Sequence, residues 1–347
     1  MKQKTVILLV SVFTLAFSVA CVTLMGGESP EAITPPEELN FEKPATPTPV
    51  PPPTVQPLAA CPLITDEIVR QALLEGDSSG GEGLENDVYL ITYEVDENDE
   101  LANPQYETFS DQFKALREDV DAHYQVWNYF RALIPPDERS MLTEYVISTD
   151  GKSGLLAAVG QTETDPNTWS LQVDIMDTVN DYELTYTLVH EFGHLLTLNP
   201  GQVPPSLAMF NNPDDENIYF KEASACPNYF PGEGCAKADS YIDDFYNTFW
   251  ADIYDEWTEI NLEEDEDIYY EKMDAFYAKY EDQFVTSYAA TNPEEDIAET
   301  WSFFVFSPEP SGDTIAEQKI LFFYRYPELV ALRESIRSNL CAVFPNQ

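Results

Sequence analysis

The chain has 347 residues and carries 63 acidic against 17 basic side chains, a formal net charge of −46. A surface this acidic repels nucleic acid and anionic membranes; it favours solubility, salty surroundings included, and attracts basic substrates. Only three histidines and five cysteines are present, so each of their positions is informative.

The first residues read as a targeting segment. Lys2 and Lys4 precede an apolar run from Thr5 to Ala20, and Cys21 follows Ser18-Val19-Ala20. Small residues before a cysteine resemble a bacterial lipobox, in which that cysteine is lipidated and becomes the new N-terminus; Ser18 stands where leucine is usual. Ordinary signal cleavage and an uncleaved anchor are the alternatives, and the run is short for a membrane span. Each places the remainder outside the cytoplasm, and lipidation of Cys21 ties it to the cell membrane. Residues 22–58 read as a disordered tether, since ten of the 28 positions from Pro30 to Pro57 are proline, a composition that buries no core. At about 3.1 Å per residue those 28 residues reach up to ~85 Å.

Residues 59–347 suffice for one substantial core. Their pattern predicts a helix over Thr65–Leu74, a strand near Val88–Val95 and a long helix over about Thr108–Ile134. Short strands follow near Leu142–Ser148 and Leu155–Val159, then a clearer one at Trp169–Met176, where apolar and polar residues at first alternate. The acidic runs Asp96-Glu97-Asn98-Asp99-Glu100 and Glu263-Glu264-Asp265-Glu266-Asp267 lack the spacing of an EF-hand loop and read as solvated faces, not calcium sites.

Next comes His190-Glu191-Phe192-Gly193-His194, the most informative stretch. Residues four apart on a helix lie on one face, so both imidazoles reach one zinc ion, with Glu191 beside it as base for a water on the metal. Leu184, Leu188, Phe192 and Leu195 recur at helical spacing as a core stripe, leaving the motif on another face. Asn180 with Glu183 three residues on predicts a capped start, and Asn199-Pro200-Gly201 a stop.

A catalytic zinc needs a third protein ligand. His123, far upstream, reads as an ordinary helix-face histidine, and no further histidine follows His194. A carboxylate must therefore complete the site. From Ala236 the chain reads as mostly helical and aromatic, and Asn292-Pro293 opens a helix with Ile297, Trp301 and Phe304 as its buried stripe. Glu295, Asp296 and Glu299 share the candidacy, although Glu295 also suits the capping-box acid position.

Tyr288, Glu295 and Glu299 behind the His190–His194 helix resemble the catalytic domain of anthrax lethal factor and the related Pro-Pro endopeptidases. The resemblance covers two short segments, and the stretch between them is longer here. It implies an α+β zincin-like domain with a small mixed sheet, the metal helix and a mostly helical C-terminal part. It further implies Glu295 as third zinc ligand, Glu299 as support behind the site, and Tyr288 as the group that stabilises the reacting oxygen. The activity implied is a zinc metalloendopeptidase acting on extracytoplasmic peptides or proteins. A zincin-like surface binding lipoprotein without turnover is the rival.

Four cysteines remain beyond Cys21, an even number suited to two disulfides in an exported chain. Cys226 and Cys235 bracket a tight loop and are expected to pair, leaving Cys61 and Cys341 to clip the domain ends together.

Overall fold

The computed structural model describes residues 65–70, 87–108, 110–151 and 155–343. The expected signal and tether, with Cys21 and Cys61, lie outside the described residues. Residues 65–70 are helical (α1) and bury Thr65 and Ile68.

The fold is α+β. Its sheet comprises β1 (Val88–Val95), β2 (Leu101–Tyr106), β3 (Leu142–Thr149), β4 (Ala157–Gln161) and β5 (Trp169–Asp174), in the order β2-β1-β3-β5-β4. Only β3 and β5 run parallel; the other neighbours are antiparallel. Alternation decides which face is inside: Trp169, Leu171 and Val173 are buried while Ser170 and Gln172 between them are half-buried. Two helices follow the β1–β2 hairpin, α2 (Lys114–Glu118) and α3 (Val120–Leu133). The long helix expected here is broken at Asp119, whose carboxylate accepts the Ala122 N–H and caps α3. Trp127 and Phe130 of α3 are fully buried, with the Trp127 ring 5.2 Å from that of Tyr145 on β3.

The first acidic run is the hairpin turn itself. Asp96 Oδ1 accepts the amides of Asn98 (2.8 Å) and Glu100 (3.0 Å), and Asp99 adopts a left-handed φ of 64°. The Asp99 carboxylate then binds Arg131 Nε at 2.9 Å and pairs with Arg139. In the second run, Asp265 caps the helix that follows and Glu263 binds Lys272 at 2.6 Å.

Helix α4 (Asp181–Leu198) carries the histidine motif. Asn180 caps it by accepting the Tyr182 and Glu183 amides, and Asn199 closes it by donating to the Leu195 and Leu196 carbonyls, each at 2.9 Å. The sequence pattern gives α4 one core stripe with the motif on another face; the structure buries that other face as well. Every residue from Thr185 to Leu198 except Thr187 is at least nine-tenths buried or close to it, His190, Glu191 and His194 included. The helix runs through the centre of the domain, where apolar cover on all sides is what its composition needs.

The rest is helical: α5 (Leu207–Phe210), α6 (Glu216–Ala225), α7 (Tyr241–Phe249), α8 (Tyr254–Asn261), α9 (Glu266–Tyr280), α10 (Pro293–Phe306), α11 (Ile315–Phe323) and α12 (Pro327–Val343). Cys226 and Cys235 form the expected disulfide, with Cα atoms 5.4 Å apart. Cys341 is also disulfide-bonded, while Cys61, its expected partner, is outside the described residues. Helix α10 packs directly on α4 and is framed by charge. Acids fill its first turn, and at its C-terminal end Arg333 binds the Phe304 and Ser307 carbonyls while Arg337 binds that of Val305. Both ends suit the helix dipole.

Candidate metal centre

The contact between α4 and α10 builds the site. Gly193 faces Ala298 and Trp301 so closely that a Cβ on it would stand 3.0 Å from the Ala298 Cα and 3.2 Å from the Trp301 Cδ1. Only glycine allows the two backbones this approach. It brings Glu295, one turn before Ala298 on α10, over the imidazoles of α4.

Three donor atoms converge there. His190 Nε2 lies 3.1 Å from His194 Nε2 and 3.0 Å from Glu295 Oε2, and His194 Nε2 lies 3.3 Å from the same oxygen. This triangle fits a metal. Donors held at about 2.0–2.1 Å around a tetrahedral zinc stand roughly 3.3 Å from one another. Two imidazole nitrogens and a carboxylate oxygen turned toward one another present converging lone pairs, which one cation bound among them would satisfy together. Burial opposes protonation of His190, but the Glu295 and Glu299 carboxylates, as hydrogen-bond acceptors and as negative charges beside the ring, raise its pKa well above the ordinary value. Against its own burial, Glu295 is held far below the usual carboxylate range by His194 and His190.

The rear of the site is equally specific. Glu299 Oε1 lies 3.0 Å from His190 Nδ1, off the ideal hydrogen-bond line, and its Oε2 accepts the Thr286 hydroxyl at 2.5 Å. Outer carboxylates of this kind fix the tautomer and orientation of a ligating histidine. Asn292 caps α10 by accepting the Glu295 amide at 2.7 Å, so the Glu295 side chain is left to face the histidines. The cap is thus supplied by Asn292, and the capping-box amide contact belongs to Glu295's backbone. Asp296 points elsewhere, to the buried Lys319, and drops out as a ligand.

Glu191 is buried beside the triad. Burial lifts its pKa to about 7, opposed by His190, His194 and the Val159 backbone amide of β4. A carboxyl titrating there exchanges protons readily near neutrality. Tyr288 begins a short 3₁₀ turn (Tyr288–Ala290) before α10, with its ring centroid 6.0 Å from that of His190. It is 52% exposed, yet its hydroxyl is turned toward Glu295. Loss of solvent at that end, with Glu295, Glu191 and Glu299 nearby, raises its pKa and keeps the phenol a hydrogen-bond donor.

His123 is elsewhere and fully spent. It is buried, its Nε2 donates to the Leu116 carbonyl at 2.9 Å, and its Nδ1 accepts from the Tyr93 hydroxyl at 2.9 Å. The strand that begins at Trp169 offers no free edge beside α4. That strand, β5, is hydrogen-bonded on both sides; the edge on the α4 side is β4. Beside Gly160 of β4 there is open space where a side chain would stand.

Sequence reasoning missed several carboxyls and their partners. Glu294, adjacent to the histidine-facing Glu295, is pushed up to about 8 by burial and by Glu233, and it accepts the Tyr229 hydroxyl at 2.8 Å. Glu233, in the loop closed by the Cys226–Cys235 disulfide, is raised to about 7 by burial. Nothing in their spacing foretells this, because residues 229 and 233 meet α10 only in the fold. Asp150, Asp174 and Asp177 form a second acidic group, in which Asp174 is occupied by the amides of Asp150 (2.6 Å) and Met176 (2.8 Å). Comparison of the chain with protein-family models, with curated proteins and with solved structures finds no match.

Proposed function

We propose that this chain is a zinc-dependent endopeptidase of zincin-like fold, similar in its site to the lethal factor and Pro-Pro endopeptidase catalytic domains. The observation that carries the reading is the triangle of His190, His194 and Glu295 donors, with sides of 3.0 to 3.3 Å, beside the buried acid Glu191. His190, His194 and Glu295 would hold the ion. Zinc bound there supplies Lewis acidity, which acidifies water and polarises a carbonyl.

The chain's own groups then divide the work. Glu191 takes a proton from the attacking water and returns it to the leaving amine; an ordinary pKa raised by burial suits a group that must do both. Tyr288, kept protonated by loss of solvent at its hydroxyl and by its carboxylate neighbours, donates a hydrogen bond to the oxygen that gains charge. Glu299 holds the His190 ring from behind. The free edge of β4 takes an extended peptide by strand addition, with Val159 close to Glu191. The disulfide accords with a place outside the cytoplasm, where lipidation of Cys21 would tether the enzyme to the membrane.

A peptide-library digestion, run with and without a chelator, tests the reading. Chelator-sensitive internal cleavage that Glu191→Gln abolishes supports it. Cleavage that survives both, or none with zinc bound, refutes the endopeptidase assignment.

A further inference from the structure

The first turn of α10 holds three consecutive acids, Glu294, Glu295 and Asp296. Successive helical residues point about 100° apart, so the helix must be set at one rotation for Glu295 to face the histidines. A rotation by one residue offers the metal Glu294 or Asp296 instead. The structure removes the second rival completely. Asp296 Oδ2 binds Lys319 Nζ of α11 at 2.5 Å and accepts the indole N–H of Trp250, the residue that follows α7, at 2.7 Å, while Oδ1 accepts the Thr300 hydroxyl at 3.3 Å. Both members of the pair are 0% exposed. The Lys319 ammonium stands 4.1 Å above the Phe284 ring and within 6 Å of Phe245, Phe249 and Trp250, an aromatic slot in which Asp296 is its carboxylate partner.

A buried pair of this kind is weak support for stability, because desolvating both charges costs about as much as their attraction returns. Its value lies in selecting one arrangement among several. We infer that Lys319 and Asp296 are positioning residues that lock the rotation of α10, so that Glu295, and neither neighbouring acid, completes the metal site. The inference rests on the metal-site reading above and names a device for it outside the site.

The test uses the full chain with Asp296→Leu and Lys319→Met combined, and a milder pair, Asp296→Asn with Lys319→Met, which keeps an acceptor for Trp250. Zinc affinity is measured against a competing chelator, alongside the thermal midpoint and the visible spectrum of the cobalt(II)-substituted protein. The expected result is a folded protein with a midpoint near the parent's or higher, zinc affinity reduced about 10- to 100-fold, and an altered cobalt spectrum. A stably folded pair variant with parental zinc affinity and cobalt spectrum overturns the inference, as does failure of both variants to fold, which would make the pair a stability element. If the parent chain takes up no zinc, the metal-site reading itself fails, and the inference falls with it by a separately visible route.

Discussion

Replacing Gly193 by alanine is the sharpest probe of how the site is assembled, because the substituted atom touches no donor. The added Cβ would sit 3.0 Å from the Ala298 Cα, 3.2 Å from the Ala298 Cβ and 3.2 Å from the Trp301 Cδ1. Carbon atoms rest at about 3.5–4.0 Å, so α10 must retreat from α4 by roughly 0.5 Å or more. Overpacking of this size costs about 1–3 kcal/mol, offset by about 1 kcal/mol because alanine is the better helix former. Net destabilisation is therefore small, about 0–2 kcal/mol. The retreat carries Glu295, one turn away, out of a donor triangle whose tolerance is about 0.2 Å. Zinc affinity should fall by about tenfold or more while the metal-free protein unfolds within a few degrees of the parent. Calorimetric or chelator-competition titration, paired with thermal unfolding of the metal-free protein, reads both quantities. Undiminished zinc affinity in a folded Gly193→Ala protein would refute the claim that the close α4–α10 approach sets the site.

Other outcomes follow from the same geometry. Glu191→Gln should retain zinc yet lose peptide hydrolysis by about 10²- to 10⁴-fold, as steady-state kinetics and metal analysis together would show. Tyr288→Phe should lower kcat by roughly 10- to 10³-fold with little change in KM, since its hydrogen bond serves the charge that develops during reaction; an equal rise in KM with kcat intact would contradict that role. Glu294 has a pKa raised from 4.5 to about 8, so its contribution to stability is fully present below pH 4.5 and is lost as pH rises through 8. The thermal midpoint of the metal-free protein should accordingly fall across that window, less steeply in Glu294→Gln, whose side chain stays neutral. Identical slopes for the two proteins would show that Glu294 is not titrating there.

Local signals were legible where a residue acts on its own neighbours. Asn180 and Asn292 each cap the helix they were expected to open, and the i, i+4 spacing of His190 and His194 brings their Nε2 atoms together. Composition alone left Glu295, Asp296 and Glu299 level; only the resemblance favoured Glu295, and the partners that separate them are Lys319, Trp250 and Thr286, brought in from other elements. Strand β2 escaped notice because Asn103-Pro104 reads as a turn signal. The strand is an edge, where a proline removes no interior ladder bond. The break at Asp119 was hidden by a continuous helical pattern with no glycine or proline in it. The burial of α4 was underestimated because periodicity reports one apolar stripe and says nothing of what covers the opposite face, here α10.

The most direct measurement is the zinc content of the purified chain after exhaustive dialysis, compared with that of Glu295→Gln and His194→Ala. One zinc per parent chain, with loss in both variants while their folds persist, is the predicted result. No zinc in the parent, or one zinc still held when Glu295 is replaced, contradicts the account.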